Sequence, residues 1–533
     1  MSKQLPLFRR DASSTNGRTS RPWAVQITRK RIIIISFIIA LIIFLRSTKK
    51  DRNLDSTTAP TPYRIDWPSW PSKLNDEDKK TSAFKASSFT PDALYQEEDL
   101  KPVTAIVYRV STNANHVLIV VNHLLNYPFI KEIYIHNPMS SPSLSIEELN
   151  LDASQARYVN IEIYDERNER LGSLARFTTC AMATYDTCYM QDDTWQPTSM
   201  DSLYLNTIRY PNLIHANSPP GRYMDQMRWR VSNADIGMHT GFADLQYGAF
   251  VPRWKVQTFM TQLGKSALGK DRIRLADLYF SLWTNQYPWI LSNPLLLASG
   301  EQPGDLDPVS PQYYSNMNQA IRRLEKTLES DLTDIPKDYF ERIEDEPRLY
   351  ERDVRTSCVN DRCLFFTNMD HTPDPTLLKF NKDNIVNIQQ LETVYNELST
   401  LPSNEFWNEH AYHKAVDQDP SSCWNTYQNP KAGDYFGLIT MGSIMPEELQ
   451  IYTCNDIRRP EALFDVSVTN NGTDWITCRT SATAAWQHVP PRVYIKLDCG
   501  DTVNELRAIR ITFLENGPEP FNVCGLALDT VVV

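Results

Sequence analysis

The stretch AIVYRVSTNANHVLIVVNHLLNYPFIKEIYIHN, Ala105 to Asn137, decides the fold, because its hydrophobic period changes twice. Ala105 to Val110 is a short apolar-rich run and reads as a buried strand. Val117 to Leu125 carries apolar residues at helical spacing. Glu132 to His136 is strand-like again and stops at Asn137-Pro138. Strand, helix and strand in that order make a parallel pair joined by a right-handed crossover. The alternation continues downstream. Asn160 to Tyr164 reads as a third strand, Leu171 to Tyr185 as a helix, and Cys188 to Met190 as a short strand running into Gln191-Asp192-Asp193. In a largely parallel sheet, ligands sit at the carboxyl ends of the strands. Asn137, Asp165 and the Asp192-Asp193 pair all follow strands, so they are expected to converge on one site.

Met190-Gln191-Asp192-Asp193-Thr194 is the most informative short motif. A diphosphate leaving group needs its charge neutralised. A divalent cation held by a carboxylate does this, with phosphate oxygens and water in the other positions. The same pair also suits a turn or a helix cap, so the motif acquires meaning from its place after a buried strand. Gly264-Lys265-Ser266 imitates the end of a phosphate loop, but Phe259 stands where the opening glycine belongs.

Outward from this core the texture changes on both sides. From about Asp383, short β-rich runs alternate with turns: Glu448 to Tyr452, Phe464 to Thr469, Val493 to Leu497 and Ala508 to Phe513, with Asn470-Asn471-Gly472 as a strong turn. This pattern is that of an all-β sandwich. Between the two regions, Gln312 to Leu328 reads as a helix. On the other side, residues 53–100 are rich in Ser, Thr, Pro and charge and read as an irregular stem.

The N-terminus carries twelve Lys/Arg against two Asp before residue 53, a balance of +10; the total of −11 leaves −21 for the remainder. A body this acidic is a poor candidate for phosphate-backbone binding, so no nucleic acid is expected as a partner. Ile32 to Leu45 is apolar apart from Ser36, between Arg29-Lys30-Arg31 and the cations Arg46, Lys49 and Lys50. As a helix it spans about 21 Å, short of the roughly 30 Å hydrocarbon core. A cleaved signal peptide competes with a membrane anchor. The long basic leader, the lack of a small-residue cleavage site and the cations after the run favour the anchor. The basic side should stay cytoplasmic, giving a type II single-pass topology, and a short span suits the thinner membranes of the early secretory pathway. All nine cysteines follow residue 179, on the side expected to be lumenal, where disulfides persist. Cys358 and Cys363 can close a small loop, Cys180 and Cys188 can pair, and an odd total leaves one thiol over. Asn471-Gly472-Thr473 is an N-glycosylation acceptor.

Several of these residues carry a resemblance. Ala105 to Asn137, then Asn168-Glu169-Arg170-Leu171, Leu174 to Phe177, Gln191-Asp192-Asp193-Thr194, Gly248-Ala249-Phe250 and Ala276-Asp277-Leu278-Tyr279-Phe280 resemble, in order and spacing, the exostosin-like glycosyltransferase domain. The likeness covers about residues 103–300. It implies a GT-A α/β (Rossmann-like) nucleotide-sugar fold, retention of anomeric configuration and Mn2+ as cofactor. Residue by residue, it makes Asp193 the metal ligand and Asp277 the catalytic carboxylate beside the reacting carbon. It puts Asn137, Asn168, Gln191 and Asp192 at the nucleotide-sugar donor. Gln191 stands where that family usually has a further Asp, and Gly172-Ser173 where it often has Asn and Arg.

A second resemblance lies in Ala415-Val416-Asp417-Gln418-Asp419-Pro420-Ser421-Ser422-Cys423-Trp424, Asp434 to Leu438, Val466 to Trp475 and Ala508 to Ile511. These are similar to a discoidin, or coagulation-factor C-type, domain, and imply a galactose-binding-type jelly-roll sandwich that often binds glycans through loops at one end. The organisation expected is therefore a cytoplasmic tail (1–31), a transmembrane helix (32–45), a stem (46–102), a GT-A domain (103–300), an extension or linker (301–384) and a discoidin-like sandwich (385–533). The function expected is transfer of a sugar, an N-acetylhexosamine from a UDP donor, to a glycan or glycoconjugate in the Golgi or ER. The rivals are another donor such as GDP-mannose, and a non-catalytic membrane lectin with a degenerate transferase domain.

Overall fold

The computed structural model describes residues 101–138, 144–151, 156, 158–165, 171–223, 230–304, 311–329, 353–369, 411–426, 428–472, 474–485, 490–500, 503 and 506–532. The tail, the anchor, nearly all of the stem, Asn168 and most of the 301–384 segment lie outside them. Among the described residues no helix is long and apolar enough to cross a membrane.

The first unit follows the sequence closely. Strand β1 (Val103–Tyr108) leads through helix α1 (Ala114–Leu124) to β2 (Ile130–Asn137), and β3 is Asn160–Asp165. Asn113 caps α1, its side chain accepting from the Asn115 N–H at 3.1 Å. Helix α2 (Leu174–Met182) is shorter than expected, stopping at Ala183 before β4 (Thr187–Asp192). Beyond Ala183, the N–H and hydroxyl of Thr184 are taken by Glu132, which leaves the helix no way to continue. Next come α3 (Met200–Arg209), β5 (His215–Ser218), the hairpin β6 (Arg230–Asn233) and β7 (Met238–Gly241), β8 (Ala249–Pro252), α4 (Arg253–Lys265), α5 (Ala276–Trp283), β9 (Trp289–Ser292) and α6 (Pro311–Glu329).

Strands β3, β2, β1 and β4 are parallel neighbours, and the antiparallel β8 joins β4 to β5, which pairs parallel with β9. Helices cover both faces. The alternation of β1 shows why: Ile106 packs with Phe177, Phe259 and Phe280 of α2, α4 and α5, while Ala105 and Val107 pack with Val117, Val121 and Leu124 of α1. Phe177 lies 5.3 Å from Phe259 and 4.8 Å from Phe280 by ring centroid, and truncating such a buried ring costs about 3–5 kcal/mol.

The segment expected to be an extension or linker, 301–384, holds two strands. β10 (Val354–Ser357) pairs parallel with β9, and β11 (Cys363–Thr367) pairs antiparallel with β10. Every side chain of β11 is buried. β11 in turn pairs with β13 (Tyr435–Tyr452), the long strand of the sandwich, so one hydrogen-bonded sheet runs through both folds. The first half of β13 pairs with β11 and β18 (Leu506–Phe513); the second half pairs with β17 (Arg492–Asp498) and β20 (Gly525–Val532). β14 (Phe464–Thr469), β15 (Ile476–Thr477) and β16 (Arg479–Ala485) complete the sandwich, and the short pair β12 (Trp424–Asn425) and β19 (Asn522–Val523) closes one end.

The junction is also tied by polar groups. Asp361, from the β10–β11 turn, caps α3: its carboxylate accepts from the Asp201 N–H at 2.7 Å, the Ser202 N–H at 3.0 Å and the Ser202 hydroxyl. Four disulfides join Cys180–Cys188, Cys358–Cys363, Cys423–Cys524 and Cys478–Cys499, and Cys454 is the free thiol left by the odd count.

Candidate active site

The acidic pair sits at the carboxyl end of β4, beside the carboxyl ends of β1 and β2. Cys188 and Met190 face the α2 side of the sheet and Tyr189 faces the α1 side. The pleat then sends Asp192 and Asp193 in different directions. Asp192 Oδ1 accepts from Arg176 Nη2 at 2.7 Å. Asp193 extends the ladder, its N–H donating to the Tyr108 carbonyl at 3.0 Å. Its Oδ1 accepts from the N–H groups of Val110 and Ser111 at 2.7 and 3.0 Å, fixing the loop that leaves β1. Its Oδ2 is buried and accepts no hydrogen bond among the described residues.

Arg176 was not legible as a site residue, yet it organises this one. It lies on α2 with a side chain only 4% exposed, bonds Asp192, and brings its Nε to 3.4 Å from Asp277 Oδ1. Burial works against its charge, but Asp192 and Asp277 outweigh that and keep it protonated. The Cys180–Cys188 bridge staples the helix that carries Arg176 to the strand that carries Asp192. Closing so short a loop restrains the unfolded chain by roughly 2–3 kcal/mol.

Asp277 lies in the first turn of α5. Its N–H donates to the Ser173 hydroxyl at 3.2 Å, and that hydroxyl donates to the Arg274 carbonyl at 2.9 Å. The Gly172-Ser173 departure thus has a packing role. Gly172 has φ +55°, and a Cβ there would meet Arg274 at 3.1 Å. Gly248 is constrained likewise: at φ +98° a Cβ would meet the Tyr189 hydroxyl at 2.4 Å.

A fourth carboxylate, Asp244, was also missed. It caps the turn before Gly248, its Oδ1 accepting from the Gln246 N–H at 3.3 Å and its Oδ2 from the Gln246 amide at 2.6 Å. Burial is the main cause that raises Asp192 to about 6 and Asp277 to about 7. Arg176 opposes it in both, while Asp244 adds to it. Burial also raises Asp193, against the pull of the two backbone N–H groups. The arrangement therefore holds two carboxylates that change charge near neutrality on either side of a permanent cation.

The other expected site residues fall as follows. Asn137 is buried; its Oδ1 accepts from Arg109 at 3.1 Å and its Nδ2 donates to Asp165 Oδ1 at 2.7 Å, so two of the strand-end residues do meet. The amide of Gln191 accepts from the Tyr189 hydroxyl at 2.5 Å and donates to the Trp195 carbonyl. The unpartnered Asp193 Oδ2 fits a cation ligand. Among the described residues no three-ligand His/Cys/Asp/Glu cluster includes Asp193. A cation there would complete its shell with phosphate and water oxygens, as Mg2+-like ions do.

No protein-family model matches the chain, and no curated protein matches it. Among solved structures, TarS 1–349 of S. aureus in complex with UDP is 12% identical, with a TM-score of 0.28, over 43% of this chain and 67% of that one. The Clostridium perfringens module CpGH89CBM32-5, in complex with GalNAc-β-1,3-galactose, is 12% identical, with a TM-score of 0.18, over 23% of this chain and 84% of that one. The fucose-binding module SpX-3 of Streptococcus pneumoniae is 14% identical, with a TM-score of 0.18, over 23% of this chain and 87% of that one.

Proposed function

We propose that this chain is a metal-dependent glycosyltransferase that uses a nucleotide-sugar donor, with the sandwich as a glycan-binding partner fold. The observation that carries the reading is the placement of Asp192, Arg176 and Asp277 as one ion-paired unit beside Asp193, whose Oδ2 is left without a partner at the carboxyl end of a parallel sheet. Asp193 would hold a divalent cation, which neutralises the leaving diphosphate. Asp192 and Asp277 would flank the sugar, and Arg176 would fix the distance between them. A carboxylate beside the reacting carbon stabilises positive charge as it develops, an effect expressed in turnover rather than in donor affinity. The finer reading rests on the residue-level resemblance: retention of configuration, a UDP-linked N-acetylhexosamine, Mn2+, and a type II anchor in the Golgi or ER membrane.

Donor hydrolysis and transfer measured across UDP- and GDP-sugars, with and without Mn2+, test the reading. Turnover that requires the cation, and cation-dependent donor binding that disappears in Asp193→Asn while the fold persists, are the expected results. A chain that hydrolyses no donor is the lectin instead. Unchanged Mn2+ dependence in Asp193→Asn removes that residue from the role.

A further inference from the structure

The sandwich holds a group of three sulfurs that the proposed chemistry does not use. Cys423 and Cys524 are joined, and the exposed free thiol of Cys454 lies 3.9 Å from the sulfur of Cys524. All three sulfurs lie within 4.8 Å of one another. Among the described residues no other cluster of His, Cys, Asp or Glu gathers three ligand atoms so closely.

The backbone explains why Cys454 stays there. Cys454 follows the end of β13 and Cys524 follows β19. The Cys524 N–H donates to the Tyr452 carbonyl at 2.7 Å, and the Cys454 N–H donates to Asn522 Oδ1 at 2.6 Å. The Thr453 hydroxyl donates to the same oxygen at 3.2 Å. Cys454 and Cys524 are thus neighbours by main-chain geometry, whichever sulfur is bonded. Cys423 is held differently: β12 pairs with β19 over two residues only, Trp424 with Val523 and Asn425 with Asn522.

We propose that these cysteines form an exchange site, in which Cys524 alternates between Cys423 and Cys454 as its disulfide partner. The Cys454 thiolate, on an exposed side chain able to turn in line with the bridge, attacks the sulfur of Cys524. A Cys454–Cys524 bond forms, the Cys423–Cys524 bond breaks, and the bonding pair leaves with Cys423 as thiolate. The proton given up by Cys454 is balanced by the one Cys423 takes up. One disulfide and one thiol are present before and after, so no outside oxidant or reductant enters. The rate follows the thiolate fraction of the attacking sulfur and rises with pH. The product keeps the β13–β19 end closed but unties Cys423. The strap Ala411–Asn425, whose Tyr412 packs on Trp424 and on Tyr223 of the first fold, then loses its covalent tie and is held by packing and by hydrogen bonds such as the two-residue β12–β19 pairing.

Disulfide mapping of the full chain tests this. The protein is held at pH 6 or pH 8.5 without added thiol, alkylated with N-ethylmaleimide, digested under non-reducing conditions and read by mass spectrometry. Both the Cys423–Cys524 and Cys454–Cys524 peptides should appear, with alkylated Cys423 growing in several-fold faster at pH 8.5. Cys423→Ser should carry a Cys454–Cys524 bridge, and Cys454→Ser should never show alkylated Cys423. The proposal is overturned if only Cys454 is alkylated in the wild type while Cys423→Ser leaves both remaining thiols free. It is equally overturned if Cys423 is alkylated as readily in Cys454→Ser, since the bridge is then opened from outside.

Discussion

Replacing Asp277 with asparagine should separate catalysis from stability. Burial, helped by Asp192 and Asp244 and opposed by Arg176, raises the Asp277 carboxyl to about 7, whereas an aspartate in an unfolded chain ionises near 3.9. Folding therefore favours the protonated form. That contribution is fully present below about pH 4 and is lost as the pH rises through about 7. Three units at 1.36 kcal/mol each put a ceiling of about 4 kcal/mol on the cost of holding the group ionised at pH 8. The side chain is 24% exposed, and an amide still needs polar contacts, so the expected gain from Asp277→Asn is on the order of 1–2 kcal/mol. Calorimetry should show the variant melting above the wild type at pH 8, with the gap closing as the pH falls to 4. Sugar transfer at pH 8 should fall about a hundredfold in the same variant, with donor affinity little changed. Wild-type turnover should itself decline below pH 7, as Asp277 takes up its proton. A variant less stable than the wild type at pH 8 would refute the reasoning, because the charge would then be supporting Arg176 rather than straining the site. Equal turnover would leave Asp277 as a helix terminus with no part in the chemistry.

Two other outcomes follow from the structure, and a third tests the proposed type II topology. Asp361→Ala removes the cap of α3 and should cost about 1–3 kcal/mol, read as a lower melting temperature or denaturation midpoint; an unchanged value would show the cap to be dispensable. Deleting residues 411–533 bares the edge of β11 and its buried Leu364, Phe365 and Phe366, so the remainder should aggregate on size exclusion; a soluble, monomeric, folded remainder would contradict this. In the expressed protein Asn471 should carry glycan, lost in Asn471→Gln as a mass decrease, and protease added to intact vesicles should remove only the leader; digestion of the sandwich would sink the type II topology.

The fold was legible wherever one hydrophobic period persisted. Ala105 to Asn137 declares its strand, helix and strand, and Gln312 to Leu328 matches α6 within a residue at either end. β10 and β11 went unread because so short a hairpin carries no clear period of its own, and because the strands that flank it, β9 and β13, lie far away in the chain. Asp192 and Asp193 could be named because they follow a buried strand, and Asp277 because the resemblance carries a carboxylate onto it. Arg176 and Asp244 could not, because their roles come from what surrounds them. One signal was available: Leu174, Ala175 and Phe177 flank Arg176, and a cation within an apolar helix stretch needs a buried counter-charge. Asp244 has no such mark, since an Asp before a turn is ordinary chemistry.

The unbroken sheet from β9 through β10 and β11 to β13 also bears on descent. A domain hung on a tether can be gained, lost or traded in one recombination event, because the break point costs neither partner a hydrogen bond. Here parting the sandwich from the first fold would split a ladder and leave β11 and β13 each with an unsatisfied edge. A lineage that dropped the sandwich would have to invent a new edge strand at the same time. The two halves should therefore share one genealogy, with trees built from residues 103–300 and from 411–532 agreeing branch for branch.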